Sequence, residues 1–260
     1  MKPAIATLAL VLGARALLPA AQEDTLADIL ARLRAARAAT DFKASGRLVR
    51  VTGAEQRTTS QFTMQAHAFP GVLKLFCSIT DSGAARVRLL LESPLIAAGA
   101  RAASRIRVGH PGDAAARDLA PERWGEGVLE SDFTYEDLLE DQFQWSNQSI
   151  KGREKCGARD CVILVSEPGP SDRSHYSSVT SWLARDILYP VRAEKIVRGS
   201  GIVKEFTYFG LRESKGVWSA SQVEVKIKDK PGSTLLIINR GAEKPNLTAQ
   251  AFDPLLLIKP

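Results

Sequence analysis

The stretch that decides the fold is HYSSVTSWLARDILYPVRAEKIVRGSGIVKEFTYFGLRESKGVWSASQVEVKIKDKPGSTLLIINR, His175–Arg240. Five strand-like runs follow one another in it: His175–Arg185, Val191–Arg198, Ile202–Leu211, Val217–Lys228 and Ser233–Arg240. The links are ILYP, GSG, Ser-Lys-Gly and Lys-Pro-Gly, each with the Gly or Pro of a chain reversal. Parallel neighbours need crossovers of about a dozen residues or more, so links this short dictate an antiparallel meander.

Upstream, more strands of the same kind are expected. Ser60–Ala68 alternates, with Phe62, Met64, Ala66 and Ala68 on one side. Val72–Ile79 groups Leu73, Leu75, Cys77 and Ile79, and Arg86–Glu92 groups Val87, Leu89 and Leu91. Ser45–Thr52, Ser104–Val108 and Cys161–Val165 complete the β reading. Residues 93–130 are broken repeatedly by Pro and Gly. One apolar and one polar face per strand describes a half-exposed antiparallel sheet. Ten or eleven such strands do not stay flat, so the sheet should curl into a half-open, incomplete β-barrel.

Helices are few. Asp24-Thr25 opens one of about 16 residues, with Leu26, Ile29, Leu30 and Leu33 on a single stripe and Asp24 as its N-cap. This stripe needs an apolar partner, and the concave side of the sheet supplies one. Ser131–Glu140 reads as a second helix start, with Thr134 and Asp137 forming a capping box. Phe133, Leu138 and Phe143 face inward there, and Glu136, Asp137, Glu140 and Asp141 make a solvated outer face. The apolar tail, Phe252 and Leu255–Ile258, is expected to dock.

The 260 residues carry a net charge of +6, with acids and bases interspersed. There is no basic stripe interleaved with aromatics, so nucleic-acid binding is not indicated. Residues 1–21 have the n-region, h-region and small-residue cut site of an exported protein's signal peptide. Its loss removes Lys2 and Arg15 and lowers the net charge to +4. Cys156 and Cys161 bracket a tight hairpin tip where a disulfide is sterically allowed, with a metal site as the weaker alternative. Cys77 reads as a buried small hydrophobe.

Chemistry has little to stand on. His67, His110 and His175 are scattered, and no nucleophile elbow, phosphate loop or zinc-protease motif occurs. Asp172, Ser174 and His175 lie too close together in sequence for a triad. The sequence nominates no catalytic residue, cofactor or metal.

SDFTYEDL (Ser131–Leu138) and the order within His175–Phe206 carry a resemblance. That order is Tyr, then Trp, then a Pro-led strand, then Gly-x-x-x-Lys, with Thr234-Leu235 and Phe252 later. In these the chain resembles the outer-membrane lipoprotein-sorting (LolA-like) proteins, over residues 22–260. One departure is Phe69 before Pro70, where the best-studied carriers have a basic residue. The resemblance implies an incomplete barrel closed by helices around an apolar cavity. It also implies a soluble, monomeric periplasmic carrier of lipoprotein acyl chains or lipid, with transfer partners at the inner and outer membranes. The strand patterns nominate as lining residues Phe62, Met64, Leu73, Leu75, Ile79, Leu89, Leu91, Ile163, Val165, Val223 and Val225. Trp182, Leu183 and Phe206 are added from the meander, with Leu26, Ile29, Leu30 and Leu33 as a lid. The alternatives are an envelope-stress sensor of the RseB type, which binds a partner protein, and a secreted lipid hydrolase.

Overall fold

A computed structural model describes residues 24–54, 56–81, 84–95, 103–214, 217–239 and 245–260. The signal peptide expected over residues 1–21 lies outside these. Helix α1 (Leu26–Ala38) precedes β1 (Asp41–Thr52), β2 (Arg57–Phe69), β3 (Val72–Asp81), β4 (Ala84–Pro94), β5 (Arg105–Gly109) and β6 (Arg117–Asp118). A link of isolated 3-10 turns leads to β7 (Asn147–Cys156), β8 (Arg159–Glu167), β9 (Tyr176–Ala184), β10 (Tyr189–Val197) and β11 (Val203–Phe209). Then come β12 (Arg212–Ser214), β13 (Val217–Ser219), β14 (Gln222–Ile227) and β15 (Gly232–Ile238), and a tail of two 3-10 turns, Ala249–Phe252 and Pro254–Leu257.

Thirteen strands form one antiparallel curled sheet in the order β6-β5-β4-β3-β2-β1-β15-β14-β11-β10-β9-β8-β7. β12 and β13 make a separate hairpin. The last strand returns to pair with the first, Gly46 opposite Ile238 and Leu48 opposite Leu236. β6 and β7 are the two edges, so the sheet is not closed. The link 119–146 runs from one edge to the other.

The meander is antiparallel throughout, as its short links require. The expected run Val217–Lys228 is two strands, however. It breaks at Ala220-Ser221, where the Ser221 amide donates back to the carbonyls of Phe209 and Gly210.

The second helix does not form. Its box closes, with the Thr134 amide donating to Asp137 Oδ2 at 2.8 Å and the Asp137 amide to Thr134 Oγ1 at 3.3 Å. Only 3-10 turns at Glu136–Leu138 and Asp141–Gln144 follow, because Glu140 takes a left-handed φ of 51° that an α-helix does not accept. In α1 the cap is Thr25 rather than Asp24, in a capping box with Asp28.

Directly opposed residues of an antiparallel ladder point to the same side. One such row joins Leu164, Ser181, Ala193, Phe206, Val225 and Thr234. On the same face, Gly46 meets Phe62, which meets Ile79 and then Val87. A Cβ on Gly46 would stand 2.7 Å from the Phe62 ring, so glycine lets that ring lie flat on β1. This face carries α1 and the link. The opposite face carries the tail, as expected, with Phe252 and Leu257 against Leu90 and Phe76. Phe69 packs edge-on to Phe252 at 5.5 Å, which gives the residue before Pro70 a packing role.

Register also fixes the two ends of the sheet. The β1–β2, β10–β11 and β14–β15 turns lie at one end. At the other, α1 enters β1 and Arg37 reaches Ser93 near the end of β4.

Candidate functional site

The covered face is largely apolar, with Lys195 and Lys204 as buried exceptions. Phe62, Ile79, Val87, Leu89, Leu91 and Ile106 form a cluster with Leu119, Trp124, Val128 and Leu139 of the link. Met64 and Leu75 pack on its margin. Next to it Phe206, Val223 and Val225 surround Phe133. At the β7 side, Leu26, Ile29, Leu30 and Leu33 pack on Val162, Leu164, Leu183 and Leu188. The four residues of the stripe therefore lie together against the sheet, and Ile29 is wholly buried.

Of the nominated lining residues, Phe62, Met64, Leu73, Leu75, Ile79, Leu89, Leu91, Leu183, Phe206, Val223 and Val225 share this face. Ile163, Val165 and Trp182 point the other way. Cys161–Val165 is apolar at every position, so alternation could not choose a face, and the structure buries Val162 and Leu164 instead. Trp182 lies half-buried beneath the Arg192 guanidinium, 4.6 Å from it, and donates its indole N–H to Glu154 at 2.5 Å.

Where the sequence led to the expectation of a hollow, the link fills the space. Trp124 is 3% exposed and hydrogen-bonds the Leu119 carbonyl at 3.1 Å. Two hollows, of about 350 and 320 Å³, lie outside the packed clusters, the second touching Met64 at their margin. Arg105, Asp118 and Leu255 line the first, and Lys43, Gln65 and Phe76 the second.

The acids expected on a solvated face are the centre of the site. Asp137 accepts five hydrogen bonds. Lys195 Nζ (2.9 Å) and Tyr176 OH (2.7 Å) reach Oδ1. Lys204 Nζ (2.6 Å) and the Thr134 amide and hydroxyl (2.8 and 2.9 Å) reach Oδ2. Asp137, Lys195 and Lys204 side chains are at most 5% exposed. Both ammonium groups also sit over the Phe206 ring, Lys195 at 4.5 Å. Burial alone would raise the Asp137 pKa, but the two lysines outweigh it and hold the carboxyl well below the usual carboxylate range. Burial pushes Lys204 down, against the pull of Asp137. Burial, reinforced by the Asp137 charge, pushes the Tyr176 hydroxyl far up.

Glu136 is tied as firmly. It accepts from the Ser174 hydroxyl, the His175 amide at 2.9 Å and His175 Nδ1 at 2.5 Å. Asp172 instead binds Ser146 and the Gly169 amide. Asp172, Ser174 and His175 thus do not assemble. Asp132 holds Thr234 at 2.6 Å. Asp141 takes Arg37 at 2.8 Å and Ser93 at 2.5 Å. Of the five acids in the run, only Glu140 is exposed. These contacts rivet the link to the sheet and occupy the carboxylates of Asp132, Glu136, Asp137 and Asp141. Among the described residues no group of His, Cys, Asp and Glu could hold a metal.

Cys77 is buried, and burial raises its thiol to about 12. Cys156 and Cys161 are free thiols at the two sides of the β7–β8 hairpin.

A family model described only as that of an uncharacterized protein matches residues 112–257, more than half of the chain. The chain belongs to that family. No curated protein matches the sequence. Solved structures share its fold. A DUF1329 family protein from Desulfovibrio piger ATCC 29098 is 18% identical at a TM-score of 0.79, over 88% of this chain and 96% of that one. A putative outer membrane lipoprotein-sorting protein domain from Vibrio parahaemolyticus is 18% identical at 0.76, over the same shares. A LolA superfamily protein from Nitrosomonas europaea is 14% identical at 0.65, over 88% and 98%. The fold of this family member is thus the LolA-like one that Ser131–Leu138 and His175–Phe206 indicated. Among the described residues no helix is long and apolar enough to cross a membrane.

Proposed function

We propose that this protein is a periplasmic, monomeric, non-enzymatic carrier that shields the acyl chains of lipoproteins or lipids on the covered face. The observation that carries this reading is the mismatch between the two layers. A largely apolar face extends over the curled sheet, yet its cover is a single 13-residue helix and a link with little regular structure. Of this cover, α1 is held mainly by its apolar stripe and by Arg37, so it has few hydrogen bonds to lose when displaced.

The magnitudes agree. An acyl chain of about 15 methylenes costs about 12 kcal/mol to expose to water. The four stripe residues of α1 are stabilised by roughly 1.5–3 kcal/mol each when buried, as an upper bound. Hydrocarbon can therefore take the place of α1 without net loss. The link is riveted by Asp137 and Asp132, so α1 is the part that moves, and Arg37 is its catch. That guanidinium donates to Ser93 Oγ at 2.6 Å, the Leu139 carbonyl at 2.9 Å and Asp141 at 2.8 Å.

The test is to extract the purified protein and search for acyl species by mass spectrometry, alongside Arg37→Met. The wild type should carry acyl chains. The variant should lose roughly 1.5–3 kcal/mol of hydrogen-exchange protection in α1 and take up a fluorescent fatty acid faster. Folded protein that carries no acyl species and takes up no fatty acid would overturn the carrier and favour the partner-binding sensor. Export through residues 1–21 would show as a recovered protein whose N-terminus is Gln22.

We further propose that Cys156 and Cys161 close into a disulfide in that compartment. Burial raises the Cys161 thiol to about 12, so the more exposed Cys156 is the sulfur that oxidised glutathione reaches first. Cys156 would form the mixed disulfide, releasing one glutathione thiol. Cys161 would then displace the second. Thiol titration of the oxidised, denatured protein should find Cys77 alone. Three titratable thiols would refute the bridge.

A further inference from the structure

Three turns stand side by side at the end of the sheet away from α1. The β10–β11 tip, Arg198-Gly199-Ser200-Gly201, has Gly199 and Gly201 at φ of 78° and 68°, a conformation that glycine adopts without strain. It is closed by the Val197 amide to the Ile202 carbonyl at 2.8 Å. Ile196 and Ile202 flank this tip on the two faces of the ribbon, each 37% exposed. The β14–β15 turn is Lys228-Asp229-Lys230-Pro231, all exposed, and the Lys228 amide straps it to Val203 at 2.9 Å. Pro231 in turn packs on Gly53 of the β1–β2 turn, which carries exposed Arg57.

Arg57, Arg198, Lys228 and Lys230 thus share one rim with two bare isoleucines. The acids in these turns are Asp229 and, outside the described residues, Glu55. Among the described residues no carboxylate pairs with Arg57, Lys228 or Lys230. The tip is short, and it carries apolar side chains beside cations of the neighbouring turns. Such a pattern suits the boundary between headgroups and acyl chains better than it suits a protein groove.

We propose that this rim docks the protein on a bilayer surface rich in anionic phospholipid. Ile196 and Ile202 enter the interface, and Lys228, Lys230 and Arg57 face the phosphates. Each cation adds about 1 kcal/mol at an anionic surface. Docking there leaves α1 free, and the inference does not depend on the carrier reading.

The test is co-sedimentation of the full chain with vesicles of phosphatidylglycerol and phosphatidylcholine, against phosphatidylcholine alone. Residues 1–21 are common to all variants, so the readout is the difference between them. The wild type should prefer the anionic vesicles, and the preference should fade towards about 1 M salt, where the Debye length is about 3 Å. Lys228→Glu with Lys230→Glu should weaken anionic binding at least about tenfold. Ile196→Ser with Ile202→Ser should weaken it several-fold while the unfolding midpoint stays unchanged. Lys228→Gln with Lys230→Gln serves if the charge reversal impairs folding. Equal binding to both vesicles, or charge variants that bind like the wild type, would overturn the proposal. So would retention by an acidic protein but not by anionic vesicles.

Discussion

Asp137→Asn will destabilise the protein by about 3–5 kcal/mol, the cost of breaking a buried ion pair from one side. The variant leaves Lys195 and Lys204 side by side, almost wholly buried, with no anion between them. It also weakens the acceptor that Tyr176 and Thr134 share. Urea unfolding measures the loss. Asp137→Leu with Lys195→Met and Lys204→Met should recover most of it, because removing a whole buried ionic group is often neutral or stabilising. A single variant within about 0.5 kcal/mol of wild type would show that the cage does not hold the link.

The pH dependence has a defined sign. A carboxyl held low in the folded state contributes stability that is present above the unfolded value of about 3.9 and lost as pH falls towards the folded one. Asp137→Asn should therefore flatten the acid limb below about pH 4. Tyr176 acts in the opposite direction. Its raised folded value makes its contribution complete below about pH 10 and lost as pH climbs beyond that.

Trp124→Ala should cost about 3–5 kcal/mol, because it removes a buried indole from the cluster over β2–β5. The indole also gives up its bond to the Leu119 carbonyl. The vacated space is lined by Phe62, Ile79, Leu89 and Leu91, the side chains nominated to hold hydrocarbon. Palmitic acid should therefore stabilise the variant more than the wild type. Saturation at a hundredfold over Kd adds about 2.7 kcal/mol. Thermal unfolding with and without the fatty acid reads both effects. A variant that is destabilised and gains nothing from palmitate would mean that the acyl site under α1 does not extend beneath the link.

The curled sheet was legible because alternation recurs strand after strand and short links leave no choice but antiparallel pairing. Faces were legible where alternation is strict, as at Phe62 and Met64 or Val223 and Val225. They were not legible at Ile163 and Val165, inside a run apolar at every position. In sequence the acidic run reads as solvated because Glu136, Asp137, Glu140 and Asp141 sit at helical spacing, and nothing local says that the helix stops at Glu140. The decisive signal lay elsewhere in the chain. Lys195 is two residues from Ala193, and Lys204 two from Phe206, so two lysines occupy inward positions on neighbouring strands. Buried cations on a sheet face require a buried anion, and only the acids of the link can supply it.

The ladder between β1 and β15 has a further consequence, for how the chain acquires its shape. Gly46 cannot meet Ile238 until almost the whole polypeptide has been synthesised. Until then β1 offers an unsatisfied edge, and the two blocks β1–β6 and β7–β15 have no backbone pairing to each other. Contacts so distant in sequence make maturation slow and leave a half-made sheet prone to aggregate. A chaperone that delays collapse until β15 emerges should therefore raise the yield of native molecules more than one that acts on the finished chain.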